Sequence, residues 1–94
     1  QALVDALISA GALPSGVKVV SSGLKDGVLT LDMNDAYAEA VRSSGTTGEE
    51  MLVYSLVNTF ASARNAESVM LTVDGKPLQS GHAIYDYALT PMEN

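Results

Sequence analysis

The chain contains no cysteine and no tryptophan, and its 94 residues include one histidine and only 5 basic residues against 11 acidic ones. Without cysteine, a disulfide framework, a thiolate nucleophile and a thiolate zinc site are all excluded. The formal net charge of −6 means that nucleic acid and anionic lipid would be repelled over most of the surface. These absences narrow the possible functions, and they leave the cellular compartment open.

The amino-acid composition is typical of a packed domain. Apolar residues make up 47% of the chain, and the charged residues are spread evenly, which is typical of a globular domain rather than a disordered segment. A chain of this length supports one hydrophobic core, so we expect residues 1–94 to form a single domain. Because the chain begins at Gln1 without a basic leader, we expect an excised domain or a processed chain.

The first half of the chain predicts one helix and a β-hairpin. Apolar residues at i, i+4 spacing predict a helix over Ala2–Ala10, which Gly11 would end in a left-handed conformation. Two runs rich in β-branched residues, Val17–Leu24 and Val28–Met33, are separated by Lys25-Asp26-Gly27. Asp-Gly is a strong hairpin signal, so the two strands should be antiparallel.

A short helix should follow, from Asn34 or Asp35 as the cap to about Arg42, with Tyr37 and Val41 on its inner side. The segment Ser43–Gly48 contains two glycines and reads as a loop.

A long helix and a third strand are predicted next. Thr47 and Glu50 have the spacing of a capping box, which would start the helix, and Asn65 tolerates the left-handed cap that would end it. A third strand is expected over Ser68–Val73, before a tight turn at Asp74-Gly75. The apolar stripe of the helix consists of Leu52, Val53, Leu56, Val57 and Phe60.

Together these elements predict an α+β two-layer sandwich in the order αββ(α)αβ. We expect a three-stranded sheet with two helices, the first and the long one, packed on one face. The remaining Lys76–Asn94 would be a tail, in which the alternation of Ile84–Tyr87 is compatible with a short edge strand.

The polar residues do not form a catalytic constellation. His82 is the only histidine, and no Gly-x-Ser-x-Gly elbow accompanies it. Glu49 and Glu50 are adjacent, so on a helix they diverge by about 100° and cannot act as paired carboxylates. No Asp-x-Asp-x-Asp calcium loop is present. We therefore predict a non-enzymatic protein with no catalytic residue, no cofactor and no metal site.

One motif favours a different function. Gly45-Thr-Thr-Gly48 lies between two predicted helices, and in KH domains a GxxG loop clamps a nucleic-acid backbone. Such a clamp needs positive charge, whereas here the two threonines are neutral and Glu49 and Glu50 follow. A KH-like nucleic-acid-binding domain is therefore the alternative function, and a flexible loop is the plainer interpretation.

Several segments of the chain are similar to one known family. They are Pro14–Val19, Gly27–Met33, Leu56-Val-Asn-Thr59 and the strand Val69–Lys76, which ends in Val-Asp-Gly-Lys. This combination resembles the GerMN domain, named for sporulation and spore germination. The family often has an aspartate two residues after a Gly-His pair, and here Ile84 occupies that place.

The resemblance implies an extracytoplasmic assembly module without enzymatic activity, commonly part of a membrane-anchored lipoprotein in a Gram-positive, spore-forming bacterium. The family is similar in fold to ring-building motifs, which oligomerise. We accordingly expect a protein partner or self-association, through an open sheet face or an edge strand. We expect no nucleic acid and no small-molecule substrate, and membrane attachment only through an anchor outside this chain.

Candidate interface residues fall into two groups. On a sheet covered by helices on one face only, the uncovered face would carry Val28, Thr30, Ser68, Met70 and Thr72. On the long helix, Tyr54 and Asn58 lie one turn apart, away from the apolar stripe. They form either an interaction patch or a contact with the short helix or the tail.

Overall fold

The computed structural model describes residues 2–11, 13–80 and 84–91. Its three helices are α1 (Ala2–Ser9), α2 (Asp35–Ser43) and α3 (Gly45–Arg64). Its five strands are β1 (Val19–Lys25), β2 (Val28–Met33), β3 (Ser68–Val73), β4 (Lys76–Gln79) and β5 (Ile84–Tyr85). The predicted helices and the first three strands are therefore present; β2 and β3 have the predicted ends, whereas the ends of β1 and of the helices are shifted.

Both Asp-Gly pairs make two-residue hairpin turns. Asp26 and Gly27 have φ of 53° and 82°, and Asp74 and Gly75 have φ of 57° and 78°. Two consecutive positive φ values characterise the turn type whose twist matches that of the adjoining strands. The first turn joins β1 to β2 in antiparallel register, as predicted, and the second joins β3 to β4.

The described sheet has five strands in the order β1-β2-β3-β4-β5. Strands β2 and β3 are parallel and the other neighbours are antiparallel. The prediction of three strands was wrong, because the second turn returns the chain to the sheet. Residues assigned to the tail thus form β4 and β5, and Leu89 bonds to Val69 through both backbone groups, at 2.8 and 2.7 Å.

One hydrophobic core lies between the sheet and the helices. Strand residues Leu29, Leu31, Val69 and Leu71 are fully buried, and the whole α3 stripe is buried with them. The prediction of two covering helices was also wrong, since α2 contributes two side chains, Tyr37 and Val41, to the same core. The three helices all pack on the face that these residues define.

Tyr37 is the largest fully buried side chain, with 0% exposure. Its hydroxyl donates a hydrogen bond to the Leu52 carbonyl of α3 at 3.1 Å, which ties α2 to α3. Burial is the main reason that the pKa of this hydroxyl is raised far above its ordinary value.

Helix α3 begins earlier than expected. It starts at Gly45, which has φ of 73°, and only Ser44 separates it from α2. The helix has no side-chain cap, so the predicted capping box of Thr47 and Glu50 and the predicted loop over residues 43–48 were both wrong. Two consecutive helices joined by one residue leave no room for that loop.

The end of α3 agrees with the prediction. Asn65 is left-handed, and the N–H groups of Asn65 and Ala66 donate to the carbonyls of Ser62 and Ala61, at 3.4 and 2.9 Å. This is the bonding pattern of a Schellman motif.

The expected cap of α2 has a different role. Asn34 precedes α2 but makes no capping bond. Its side chain instead accepts from the Lys18 N–H at 3.1 Å and donates to the Gly16 carbonyl at 2.8 Å. Asn34 therefore fastens the segment before β1 to the start of α2.

Candidate interaction surface

The predicted sheet face exists. The parallel register places Val28 beside Ser68, Thr30 beside Met70 and Asp32 beside Thr72, and side chains alternate between the two faces of a strand. These residues therefore share the face opposite the helices. We call this surface the open face and define it by Val28, Thr30, Asp32, Ser68, Met70 and Thr72.

The open face is only partly accessible. Thr30 is exposed, while Val28, Ser68, Met70 and Thr72 are half-buried. Two of the half-buried side chains, Val28 and Met70, are apolar, and hydroxyl groups surround them. The open face is thus a small apolar patch with hydrogen-bonding groups on its border, which is a combination typical of protein interfaces.

Asp32 fixes one end of the open face, a role that the sequence did not reveal. Its Oδ1 accepts from the Thr72 hydroxyl at 2.7 Å and from the Gly75 N–H at 2.9 Å. The carboxylate therefore holds the turn between β3 and β4 against β2. Asp32 alternates with the same partners as Val28 and Thr30, so the sequence pattern was sufficient to place it on this face. Its hydrogen bond to Gly75, 43 residues away, could not be predicted because it depends on the parallel pairing of β2 and β3.

Strand β1 is an exposed edge of the sheet. It pairs with β2 on one side, and every residue of β1 except Val19 is exposed. Val20 and Leu24 retain 63% and 46% of their surface accessibility. The β1–β2 register is interrupted between Val19 and Ser21, which makes Val20 a bulge.

Tyr54 and Asn58 do not join the open face. Both lie on α3, on the other side of the sheet, and both are half-buried. Tyr54 packs against the core, and the two residues line a groove of about 310 Å³ together with Met51, which is 59% exposed. The two groups of candidate residues therefore belong to separate surfaces.

Glu49 makes a buried contact with the C-terminal part of the chain. It lies in the second turn of α3, with 6% exposure, and its Oε2 accepts a hydrogen bond from the Tyr85 hydroxyl. Burial first, and then the Glu49 carboxylate, raise the pKa of Tyr85. The contact closes β5 onto α3.

The structure offers little support for the alternative nucleic-acid site. The residues of the proposed clamp, Gly45–Gly48, form the first turn of α3, so they cannot surround a nucleic-acid backbone as a loop. His82 and Gly81 lie outside the described residues. In the described ranges, no three His, Cys, Asp or Glu side chains are grouped to hold a metal ion.

The described part of the chain also contains no helix that is both long enough and apolar enough to cross a bilayer.

Comparison with known proteins agrees with the fold. The structure is similar to the tandem GerMN domains of the sporulation protein GerM from Bacillus subtilis, with a TM-score of 0.61 and 26% sequence identity. The alignment covers 82% of this chain and 25% of that one, so the chain spans about a quarter of that solved structure. No curated protein matches the sequence.

A comparison with family profiles also gives a match that covers most of the chain. The profile of the Germane family, described as sporulation and spore germination, matches residues 1–79. This range includes α1, the β1–β2 hairpin, α2, α3, β3 and β4, and it contains all the residues of the open face. The chain therefore belongs to the Germane family of sporulation and spore germination domains.

Proposed function

We propose that the chain is a single, non-enzymatic protein-interaction domain that acts in sporulation or spore germination and binds a protein partner through its open face. The observation that carries the proposal is that Val28 and Met70, whose partners in the parallel register are Ser68 and Thr30, share a sheet face that the described helices leave uncovered. Germane domains are not known as enzymes, which supports the proposal of a non-enzymatic role.

The open face has one end that is suited to binding and one that is occupied by internal contacts. Thr72 and Asp32 are bonded to each other and to the turn at Gly75. Thr30 is exposed and has Gly23 of β1 as its neighbour on one side. We infer that the partner contacts the end of the open face near Val28 and Thr30.

We further propose that the domain acts outside the cytoplasmic membrane of a Gram-positive, spore-forming bacterium, as part of a lipoprotein whose anchor lies outside this chain. The resemblance to GerMN domains supports this placement. Fractionation of sporulating cells that express the tagged full-length gene product tests it. Recovery in the soluble cytoplasmic fraction would contradict the proposal.

The open face is tested by site-specific photo-crosslinking. A benzoylphenylalanine at Thr30 should give discrete protein adducts in sporulating cells, because Thr30 is exposed at the centre of the inferred contact. The matched control is the same group at Met51, which is also exposed but lies on α3. Adducts from Met51 alone, or from neither position, would refute binding through the open face.

Thr30 is a better position for this test than Thr72. Substitution of Thr72 would remove its hydrogen bond to Asp32, so a loss of binding could follow from a disturbed turn. A change at Thr30 breaks no hydrogen bond that the described structure records for its side chain.

The nucleic-acid alternative is tested separately. At low salt, the purified chain should not bind single-stranded RNA with a dissociation constant below about 10 µM, because the net charge of −6 opposes phosphate contacts. Tighter binding would overturn the proposal of a protein-interaction domain.

A further inference from the structure

We propose that residues 84–91 form a displaceable strap, and that the groove beneath it binds an extended segment of a protein partner that carries a tyrosine and a leucine four residues apart. We call residues 84–91 the C-terminal strap. The inference goes beyond the proposed function, because it concerns a second surface, on the helix side of the sheet, that the strap itself covers.

The groove exists because β4 separates from β3. The two strands pair over only two residues of each, next to the turn that joins them, and the following residues of β4, Leu78 and Gln79, pair with β5 instead. The backbone groups of successive strand residues point alternately to the two edges of the strand. Those of Val69 therefore point to the same edge of β3 as those of Val73, away from β2, at a place that β4 does not reach.

A single residue of the strap pairs with this edge. Leu89 accepts a hydrogen bond from the Val69 N–H at 2.8 Å and donates one to the Val69 carbonyl at 2.7 Å. The pairing is an isolated bridge, and the Leu89 side chain, which is 3% exposed, packs in the core. The site at Val69 therefore offers one donor, one acceptor and an apolar contact.

Tyr85 is the second point of attachment. Its side chain is buried, its hydroxyl donates to Oε2 of Glu49, and its backbone pairs with Leu78. Other strap residues are exposed to solvent, and they are Ile84, Asp86, Tyr87 and Thr90. The strap is thus held mainly at two residues, Tyr85 and Leu89, rather than along its length.

The surface beneath the strap belongs to other elements. We call it the acceptor groove and define it by Glu49 of α3, Val69 of β3 and Leu78 of β4. Strand β3 pairs with β2 over six residues, and α3 is a helix of 20 residues, so both elements have backbone hydrogen bonds that do not involve the strap. The strap can therefore open locally while these elements stay folded.

An open groove determines which segment it binds. Departure of the strap removes the partners of the Val69 N–H and carbonyl and one donor to Glu49, and polar groups beside a core cost free energy until new partners replace the old ones. An extended segment supplies the backbone bonds by strand addition. A tyrosine hydroxyl supplies the bond to Glu49, and a leucine four residues later takes the place of Leu89.

Hydrogen exchange of the unmodified chain tests whether the strap opens independently. The Val69 and Leu89 amides bond across the contact between the strap and β3, whereas the Val57 amide lies within α3. The first two should have protection factors at least tenfold below that of Val57, and low urea concentrations should leave them almost unchanged. Protection and urea dependence equal to those of Val57 would mean that the strap opens only on global unfolding, and would overturn the proposal.

A charge at position 89 of the full chain tests the groove. Leu89→Asp should keep the strap open, because an unpaired carboxylate is costly to bury. The matched control is Thr90→Asp, which adds the same charge at the next residue, where the side chain is exposed. A labelled peptide of residues 84–91 should bind Leu89→Asp with a dissociation constant of about 100 µM or less, and Thr90→Asp at least tenfold more weakly, because a closed strap competes with the peptide. Equal binding to both variants, or no binding to Leu89→Asp, would refute the acceptor groove.

Substitutions in the peptide test the two attachments. Tyr85→Phe in the peptide should weaken binding to the Leu89→Asp chain at least fivefold, because it removes the donor to Glu49. Leu89→Asp in the peptide should abolish binding. Tyr87→Phe is the control and should bind like the natural peptide, because Tyr87 is 56% exposed. Equal binding of all three peptides would refute recognition of the tyrosine and the leucine.

The folding of the Leu89→Asp chain is also decisive. Its unfolding in urea, followed by circular dichroism, should remain one cooperative transition, because the other elements fold without the strap. Loss of that transition in Leu89→Asp but not in Thr90→Asp would show that the strap is an obligatory part of the core, and would overturn the proposal.

Failure of this inference would differ from failure of the proposed function. Photo-adducts from Thr30 in cells, with no binding of the peptide to Leu89→Asp, would refute the acceptor groove and support the open face. Binding of the peptide without adducts from Thr30 would support the acceptor groove and refute the open face.

Discussion

Replacement of Tyr37 by phenylalanine should lower stability at neutral pH and raise it at alkaline pH. The Tyr37 side chain is fully buried, and its hydroxyl makes one hydrogen bond, to the Leu52 carbonyl. At pH 7, loss of that bond should reduce the free energy of unfolding by about 1 kcal/mol. For a domain of this size, the melting temperature should fall by about 4–8 °C.

The reversal follows from proton linkage. Burial raises the pKa of Tyr37 in the folded protein, whereas the unfolded chain has the ordinary value of about 10. The folded state therefore keeps a proton that the unfolded state loses, and stability falls as pH rises above about 10. At pH 11 this contribution amounts to about 1.4 kcal/mol. The phenylalanine variant lacks it, so the two stability curves should cross near pH 10.7.

Urea unfolding of the unmodified chain and of Tyr37→Phe from pH 7 to pH 11.5, followed by circular dichroism, measures the difference between their free energies of unfolding. Other alkaline titrations affect both proteins alike and cancel. Tyr87→Phe is the control at pH 7, where removal of an exposed tyrosine should change stability by less than about 0.5 kcal/mol. A Tyr37→Phe deficit that stays constant to pH 11.5 would refute the reasoning, because Tyr37 would then ionise without unfolding.

Three further substitutions probe single contacts by the same urea assay. Asn34→Ala removes two hydrogen bonds that hold the segment before β1 and should destabilise by about 1–3 kcal/mol; a neutral effect would mean that water replaces them. Gly27→Ala places a Cβ at positive φ and 2.9 Å from the flexible Glu67 side chain, and it should destabilise by about 1 kcal/mol; a gain in stability would contradict the turn geometry. Tyr85→Phe withdraws the donor to buried Glu49 and should destabilise by about 1.5–3 kcal/mol; an effect as small as that of Tyr87→Phe would refute the contact.

Elements whose causes are local could be predicted from the sequence. Each Asp-Gly pair prefers the positive φ values that a two-residue turn requires, so the turn at Asp26-Gly27 and its antiparallel register follow from neighbouring residues. The left-handed end of α3 at Asn65 has an equally local cause. The apolar stripe of α3 also predicted its buried face correctly, because helical periodicity alone determines which residues share a side.

Elements that depend on distant pairing could not be predicted. Strand β4 has four residues and includes Pro77, which is a weak strand signal; it forms because Asp32 and β3 hold the preceding turn. Strand β5 lies where the alternation of Ile84–Tyr87 was compatible with a short edge strand, but its place in the sheet depends on the contact of Tyr85 with Glu49. The capping box was predicted wrongly for a similar reason. Helix α3 starts one residue after α2 ends, because the contact of Tyr37 with Leu52 outweighs the preference of Thr47 for the cap position.

The same distinction applies to the candidate surface. Alternation was sufficient to place Val28, Thr30 and Met70 on one face, and the parallel register confirms that they are neighbours. It could not decide whether Tyr54 packs inward, as it does here, because the contacts that α3 makes are a tertiary property. Nor could it identify β1 as the exposed edge, since the order of strands depends on the crossover from β2 to β3 through α2 and α3.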